Sequence, residues 1–158
     1  MTKETIQNFT YRITQANKTQ MIVILYDIAI TYIKDAVSDI EKADFSGFRT
    51  EVNRIRDTIR ELMNSVDTSL EIGHNLLKLY IFCSNELTKA YLDYDKGALY
   101  HVMSILSKLK DAYSQVSELD KSEPVMQHTE SIYNGFTYNK NLKNETFVSK
   151  DINRGFLA

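Results

Sequence analysis

Glu71 and His74 stand three residues apart in SLEIGHNLL, the spacing that puts a carboxylate and an imidazole on one helix face, where the pair can ligate a metal ion. A di-iron bundle needs two such motifs and two further inward carboxylates. The chain carries one copy, so the pair reads as a solvated helix face and no metal site is expected. His74 also invites comparison with phosphorelay histidines, which sit on four-helix bundles in a pattern resembling His-x-x-Lys-Gly. Here the lysine is Lys78, four residues on, and no glycine follows. Histidine phosphotransfer, or another signalling role for a helical bundle, is therefore the alternative reading. His101 and His128 have no carboxylate or cysteine at ligand spacing, and the chain has neither a glycine-rich phosphate loop nor a Gly-x-Ser-x-Gly elbow. Cys83 is the only cysteine, so an intramolecular disulfide and a cysteine-based zinc site are ruled out. It reads as a small buried hydrophobe in a reducing, cytoplasmic location. Arg54, Arg56 and Arg60 are interleaved with Glu51, Asp57 and Glu61, the pattern of a solvated helix face. No enzyme activity and no cofactor are expected.

The elements that must carry whatever function remains are helical. The only proline is Pro124 and glycines are few, so most of the chain lacks helix breakers. Phe48, Val52, Ile55, Ile59, Leu62 and Val66 advance in steps of four and three and share one face. Val102, Ile105, Leu109, Ala112, Val116 and Leu119 do the same, with Leu99, Met103, Leu106 and Tyr113 as a second apolar line beside them. The spacing predicts helices over about residues 17–42, 46–66, 69–93 and 96–119. The breaks KADFSG, VDTS and LDYDKG are short enough to favour antiparallel neighbours. The expected fold is all-α, an antiparallel up-and-down four-helix bundle over 17–119, with a short N-terminal arm (1–16) and an irregular, asparagine-rich C-terminal tail (120–158). In NKTQ, Asn17 can cap the first bundle helix while Gln20 reaches back to it. Charges nearly cancel, with a formal net charge of −2, which argues against nucleic acid as a partner. A membrane span needs about 20 apolar residues, and MIVILYDIAI ends well short of that, so no membrane insertion is expected.

That decapeptide is nonetheless too apolar for a helix with one buried stripe. Ile22, Tyr26, Ala29, Ile33, Ala36 and Ile40 form the inward line. Met21, Ile24, Leu25, Ile28 and Tyr32 fall to one side of it at about 100° per residue, on a flank that carries Asp35, Asp39 and Lys42 farther along. In LLKLYIFC, Leu76, Tyr80, Cys83 and Leu87 make the core stripe, while Leu79 and Phe82 project toward the side of Lys78 and Lys89. Surplus apolar residues of this kind mark either a partner groove or a surface covered by the chain's own arm or tail. Self-association through the same face, as in a structural bundle, is a third possibility. In the arm, Ile6, Phe9, Tyr11 and Ile13 provide docking surface; in the tail, Ile132, Tyr133, Phe136 and Tyr138 offer a second cover or a mimic of a bound partner.

MIVILYDIAITYIKDA, followed by RDTIRELMNSVDTSLEIGHNLLKLYIF, resembles the FliS family of flagellin export chaperones over residues from about 13 to 118. The family's leucine-tyrosine pair in an apolar first helix is matched by Leu25 and Tyr26. Its asparagine-leucine and second leucine-tyrosine pairs are matched by Asn75, Leu76, Leu79 and Tyr80. The family usually enters that first helix through Thr-Ala-Ser-Pro; here QANK keeps Ala16 and a capping residue, Asn17, but has Gln15 and Lys18 at the outer positions. The resemblance implies a cytoplasmic monomer or homodimer that holds the unassembled C-terminal segment of flagellin, prevents premature polymerisation, and delivers its client to the flagellar export machinery. The expected client contacts are Met21, Ile24, Leu25, Ile28 and Tyr32, with Leu79 and Phe82. Tyr26 and Tyr80, at matched family positions, complete the expected client-binding set, although they fall on the core line, with hydroxyls expected to reach outward.

Overall fold

The computed structural model describes residues 1–126. Residues 127–158, which include His128 and the tail aromatics Tyr133, Phe136 and Tyr138 together with Ile132, lie outside the described residues. Five helices and no strand occur among the described residues: α1 (Lys3–Gln15), α2 (Lys18–Glu41), α3 (Phe45–Asn64), α4 (Glu71–Asp93) and α5 (Lys96–Leu119). The predicted spans of α2 to α5 hold to within two residues. The segment expected as an arm is a helix, α1. Thr2 caps it, its side chain accepting the Thr5 backbone N–H.

The capping box of α2 forms as the sequence implies. The Asn17 side chain accepts from the Gln20 backbone, and the Gln20 side chain accepts from the Asn17 backbone. Asp44 and Asp95 cap α3 and α5 with one side-chain bond each, accepting the backbone N–H of Gly47 and of Gly97. α2 packs on α1, α3 and α5, whereas α4 packs on α3 and α5, and α1 packs on α2 alone. The core where α2 to α5 meet takes Tyr26, Ala29, Ile33 and Ala36 from α2 and the expected line Phe48, Val52, Ile55, Ile59 and Leu62 from α3. α4 contributes Tyr80, Cys83 and Leu87. Burial pushes the Cys83 thiol up to about 11, in keeping with an inert hydrophobe.

Two sequence expectations are corrected here. In α5 the buried line is Leu99, Val102 and Leu106, with Met103 and Tyr113 packed against it. Ala112, Val116 and Leu119, expected inside, are exposed. Val102, Ile105 and Leu109 of the first line do face the core, so α5 uses both adjacent lines along its first half and turns the far end of the first one to solvent. The α3 charge run is also not uniformly solvated. Glu51 is buried, with one carboxylate oxygen lacking a hydrogen-bond partner and the other bound by Arg54 at 2.7 Å.

The link between α3 and α4 explains why α4 begins at Glu71 rather than at residue 69. The Asp67 side chain accepts hydrogen bonds from the Ser69 backbone and hydroxyl, a local turn that competes with helix. This turn presses on the start of α4 at Gly73, where a Cβ would lie 1.9 Å from the Asp67 carbonyl oxygen. In an unconstrained helix interior, alanine in place of glycine gains about 1 kcal/mol. Here Gly73→Ala is expected to cost about 1–3 kcal/mol, because the link must shift. Urea unfolding followed by circular dichroism checks the sign, and a gain in stability would mean that the link yields freely.

Candidate functional site

The surplus apolar residues of α2 separate into two sets. Ile24 is buried with Phe9 and Ala16 in a small second cluster, and Met1, Ile13, Met21 and Ile28 pack around it. α1 is therefore the lid on this part of α2, through Phe9 and Ile13. Leu25 and Tyr32 instead pack against the main core, and the Tyr32 ring lies under the Arg54 guanidinium, 5.5 Å from it. The single apolar flank expected from angular position is thus divided, because α1 and α3 approach α2 from different directions. Tyr26 and Tyr80 are core residues, as their angular place implied, but their hydroxyls do not reach outward. They hydrogen-bond each other in the interior, and burial raises both groups, Tyr80 to about 12.

Asp27 is the charged exception in MIVILYDIAI, and it is the polar tie of the site. One carboxylate oxygen takes Arg12 of α1 at 2.7 Å and the other takes Lys110 of α5 at 2.8 Å. Burial pushes the carboxyl up, but the hydrogen bonds from Lys110 and Arg12 outweigh it and hold Asp27 below the usual carboxylate range. A second set of bonds closes the base of α2. Asn17 Nδ2 donates to the carbonyls of Asp120 and Ser122, Thr19 donates to Asp120 at 2.6 Å, and the Val125 N–H donates to the Ala16 carbonyl at 2.9 Å. The QANK segment therefore anchors residues 120–125, and this is what a buried asparagine does there that a merely capping residue would not.

Beside this base lies a groove of about 730 Å³. Met21, Ile22 and Leu25 of α2 form one apolar wall, Val66 and Leu70 of the α3–α4 link and Ile72 and Leu76 of α4 form the other, Tyr113 and Val125 add to them, and a polar border comes from Lys18, Thr19, Glu61, Ser65 and Asp67. Farther along α4, Leu79 and Phe82 are 38% and 46% exposed. With Ile72 they share one helix face, at spacings of seven and three residues. The structure thus brings Met21 and Leu25 to the groove, leaves Leu79 and Phe82 open on α4, covers Ile24 and Ile28 with α1, and commits Tyr26 and Tyr80 to the core. Sequence reasoning missed Val66, Leu70 and Ile72 as groove residues. Their signal was present as apolar residues in and just after the short VDTS break, Val66, Leu70 and Ile72, where a solvated turn needs none.

Glu71 and His74 are both exposed, and the His74 ring meets only the Leu70 carbonyl, at 3.2 Å. Among the described residues no group of three or more histidine, cysteine, aspartate or glutamate side chains is placed to share a metal ion. His101, which has no carboxylate at ligand spacing in the sequence, lies 3.2 Å from Glu86 of α4, a pairing across helices that spacing along one helix does not reveal. No helix among the described residues is long and apolar enough to cross a membrane.

The Asp27 geometry makes a pH prediction. A carboxylate held below its unfolded value of about 3.9 contributes stability that is fully present above that value and is lost as pH falls through the folded value. Asp27→Asn is expected to lower stability by about 1–3 kcal/mol near neutral pH. The gap from the native chain should close as pH drops from about 4 toward 2. Urea melts across that range check it; a gap independent of pH would mean that the two ion pairs contribute nothing net.

Comparison with known proteins agrees with this geometry. A protein-family model described as Flagellar protein FliS matches residues 1–120, so it includes α1 as well as the helices packed behind it. The chain is also similar to the flagellar secretion chaperone FliS of Bacillus subtilis (strain 168), with 20% identity over 104 residues, which covers 66% of this chain and 78% of the relative. The matched region spans the capped α2, the apolar groove and the exposed face of α4, and the chain belongs to the FliS family of flagellar export chaperones.

Proposed function

We propose that this chaperone works in the cytoplasm by holding the C-terminal segment of flagellin as amphipathic helices on the groove and on the adjoining face of α4. In this reading, α2 to α5 form an antiparallel up-and-down bundle over residues 17–119 and residues 1–16 are a removable cover, while the start of the stretch expected as a tail, residues 120–125, is tied to the base of α2. Holding the client prevents its premature polymerisation and keeps it ready for the flagellar export machinery. The observation that carries the reading is the apolar groove between Met21, Ile22 and Leu25 on one side and Leu70, Ile72 and Leu76 on the other, continued by exposed Leu79 and Phe82. An apolar trough bordered by half-exposed apolar side chains suits a helix laid in a groove. A client that is disordered when free loses conformational entropy on ordering, which moderates affinity and permits release.

α1 fits the role of cover by the same physics. It is 13 residues long, a length at which an isolated helix is marginal in water, and its segment is held by a small apolar cluster, the Asp27–Arg12 pair and an ion pair of the Met1 ammonium with Asp35 at 2.7 Å. When α1 is lifted, Ile24 and Ile28 join Met21 and Leu25 as one apolar surface, which restores the broad flank that the sequence suggests.

Calorimetric titration of the full chain with a peptide from the flagellin C-terminus tests the reading. Binding with a Kd of about 1 μM or tighter is expected, and no heat of binding at that concentration would overturn it. The double variant Leu79→Asp with Phe82→Asp is expected to weaken binding about 10- to 100-fold. Because both side chains are substantially exposed, its helical circular dichroism should match that of the native chain.

A further inference from the structure

The ends of α3 and α4 remote from the groove carry a second surface. α3 begins with Phe45 and Phe48, and α4 closes with Tyr94, whose ring lies 4.6 Å and 5.2 Å from the two phenylalanines, centre to centre. Tyr94 holds a left-handed φ of 53°, a conformation that costs energy for a residue with a side chain, and its ring contacts are what that conformation secures. Two guanidinium groups lie on this aromatic floor. Arg49 sits 5.7 Å from the Tyr91 ring centre and 6.0 Å from that of Tyr94, and donates to the Tyr94 hydroxyl at 2.9 Å. Arg56 sits 4.8 Å from the Tyr91 ring centre and has only long bonds of 3.4 Å to Asn53 and Thr88.

The neighbouring acids are engaged elsewhere, Glu51 with Arg54 and Asp57 with Arg60. Among the described residues neither Arg49 nor Arg56 is paired with a carboxylate. A stacked guanidinium keeps its N–H edge available for bidentate bonds. Leu92, 68% exposed, and Phe45, 47% exposed, add apolar surface. Arg49 and Arg56 are seven residues apart on α3, so their positions are separated by about 10 Å along the axis.

We propose that this face docks a second protein partner through an acidic segment in a polyproline II conformation, with carboxylates three residues apart and an apolar side chain beside them. In a polyproline II conformation three residues make one full turn and rise about 9 Å, so carboxylates three residues apart lie on one side of the segment at a spacing close to that of the two arginine positions. The charge pattern favours such a segment over a polyanion. Exposed Asp44, Asp93 and Asp95 lie at the same helix ends and links; their repulsion grows with the number of charges a ligand brings, so it weighs more on a nucleic acid or an anionic membrane than on a short segment whose two carboxylates each meet an arginine. The surface is separate from the groove, so both can be occupied together, and the proposal stands whether or not the groove takes flagellin.

Fluorescence anisotropy of the full chain tests it, with a labelled peptide bearing two glutamates three positions apart and a leucine beside the second. Saturable binding with a Kd below about 1 mM is expected, weakening as salt rises. The Arg49→Gln, Arg56→Gln double variant is expected to lose about tenfold or more, while Arg60→Gln leaves binding unchanged. Equal affinity for a peptide with glutamine in place of glutamate, equal affinity of the double variant, or binding only to an oligonucleotide or to anionic vesicles would overturn the proposal. Should the double variant unfold, the side-chain N–H resonances of the native chain decide it. Peptide must shift those of Arg49 and Arg56, and unchanged resonances contradict the docking.

Discussion

A helix packed on three sides has little surface left for water, and α2 is in that position, with α1, α3 and α5 all against it. This constraint accounts for the density of apolar residues in MIVILYDIAI. It also explains the placing of Asp27, because a carboxylate among three packed neighbours must be paired or pay the full cost of desolvation. Arg12 and Lys110 supply the pairs from two different helices, so the one charged residue of the run joins α1 and α5 to α2. The Tyr26–Tyr80 hydroxyl pair solves the same problem deeper in the core, where each hydroxyl satisfies the other.

The three contacts of α2 differ in strength. Toward α3 and α5 it presents Tyr26, Ala29, Ile33 and Ala36, all fully buried in the main core. Toward α1 it presents Ile24 and Ile28 to a cluster whose other principal members are Phe9, Ile13 and Ala16. A fully buried side chain of this size contributes about 1.5–3 kcal/mol, so the α1 contact is worth a few such residues against the cost of ordering a short helix. On the reading proposed above, this asymmetry lets one face come away at modest cost while the core behind it stays intact, which would give a surface that is covered when idle and apolar when engaged.

Much of this was legible in residue spacing. The α3 line from Phe48 to Leu62 is buried as its steps of four and three require, and the Asn17–Gln20 capping box marks the start of α2. What was not legible depends on relations between helices. α5 carries two adjacent apolar lines, and only its place between α2 and α4 decides that Leu106 is inside and Val116 outside. The candidate site was legible as an excess of apolar residues, but not in its division. Angular position groups Ile24 with Leu25, whereas the approach of α1 and α3 from different directions separates them. Asp27 and His101 found partners on other helices, which no periodicity reports. The groove wall at Leu70 and Ile72 was hidden because a short link reads as a turn until its apolar neighbours are seen to face a cleft.

The central claim is that α1 is a cover that gives way to the client. Hydrogen–deuterium exchange of the full chain, with and without the flagellin C-terminal peptide, tests it most directly. The expected result is faster exchange across Lys3–Gln15 when peptide is bound, together with slower exchange in the first turns of α2 and along α4. Slower exchange in α1 together with the rest, or no change in α1 at saturating peptide, would contradict the account and place the client on a surface that α1 does not guard.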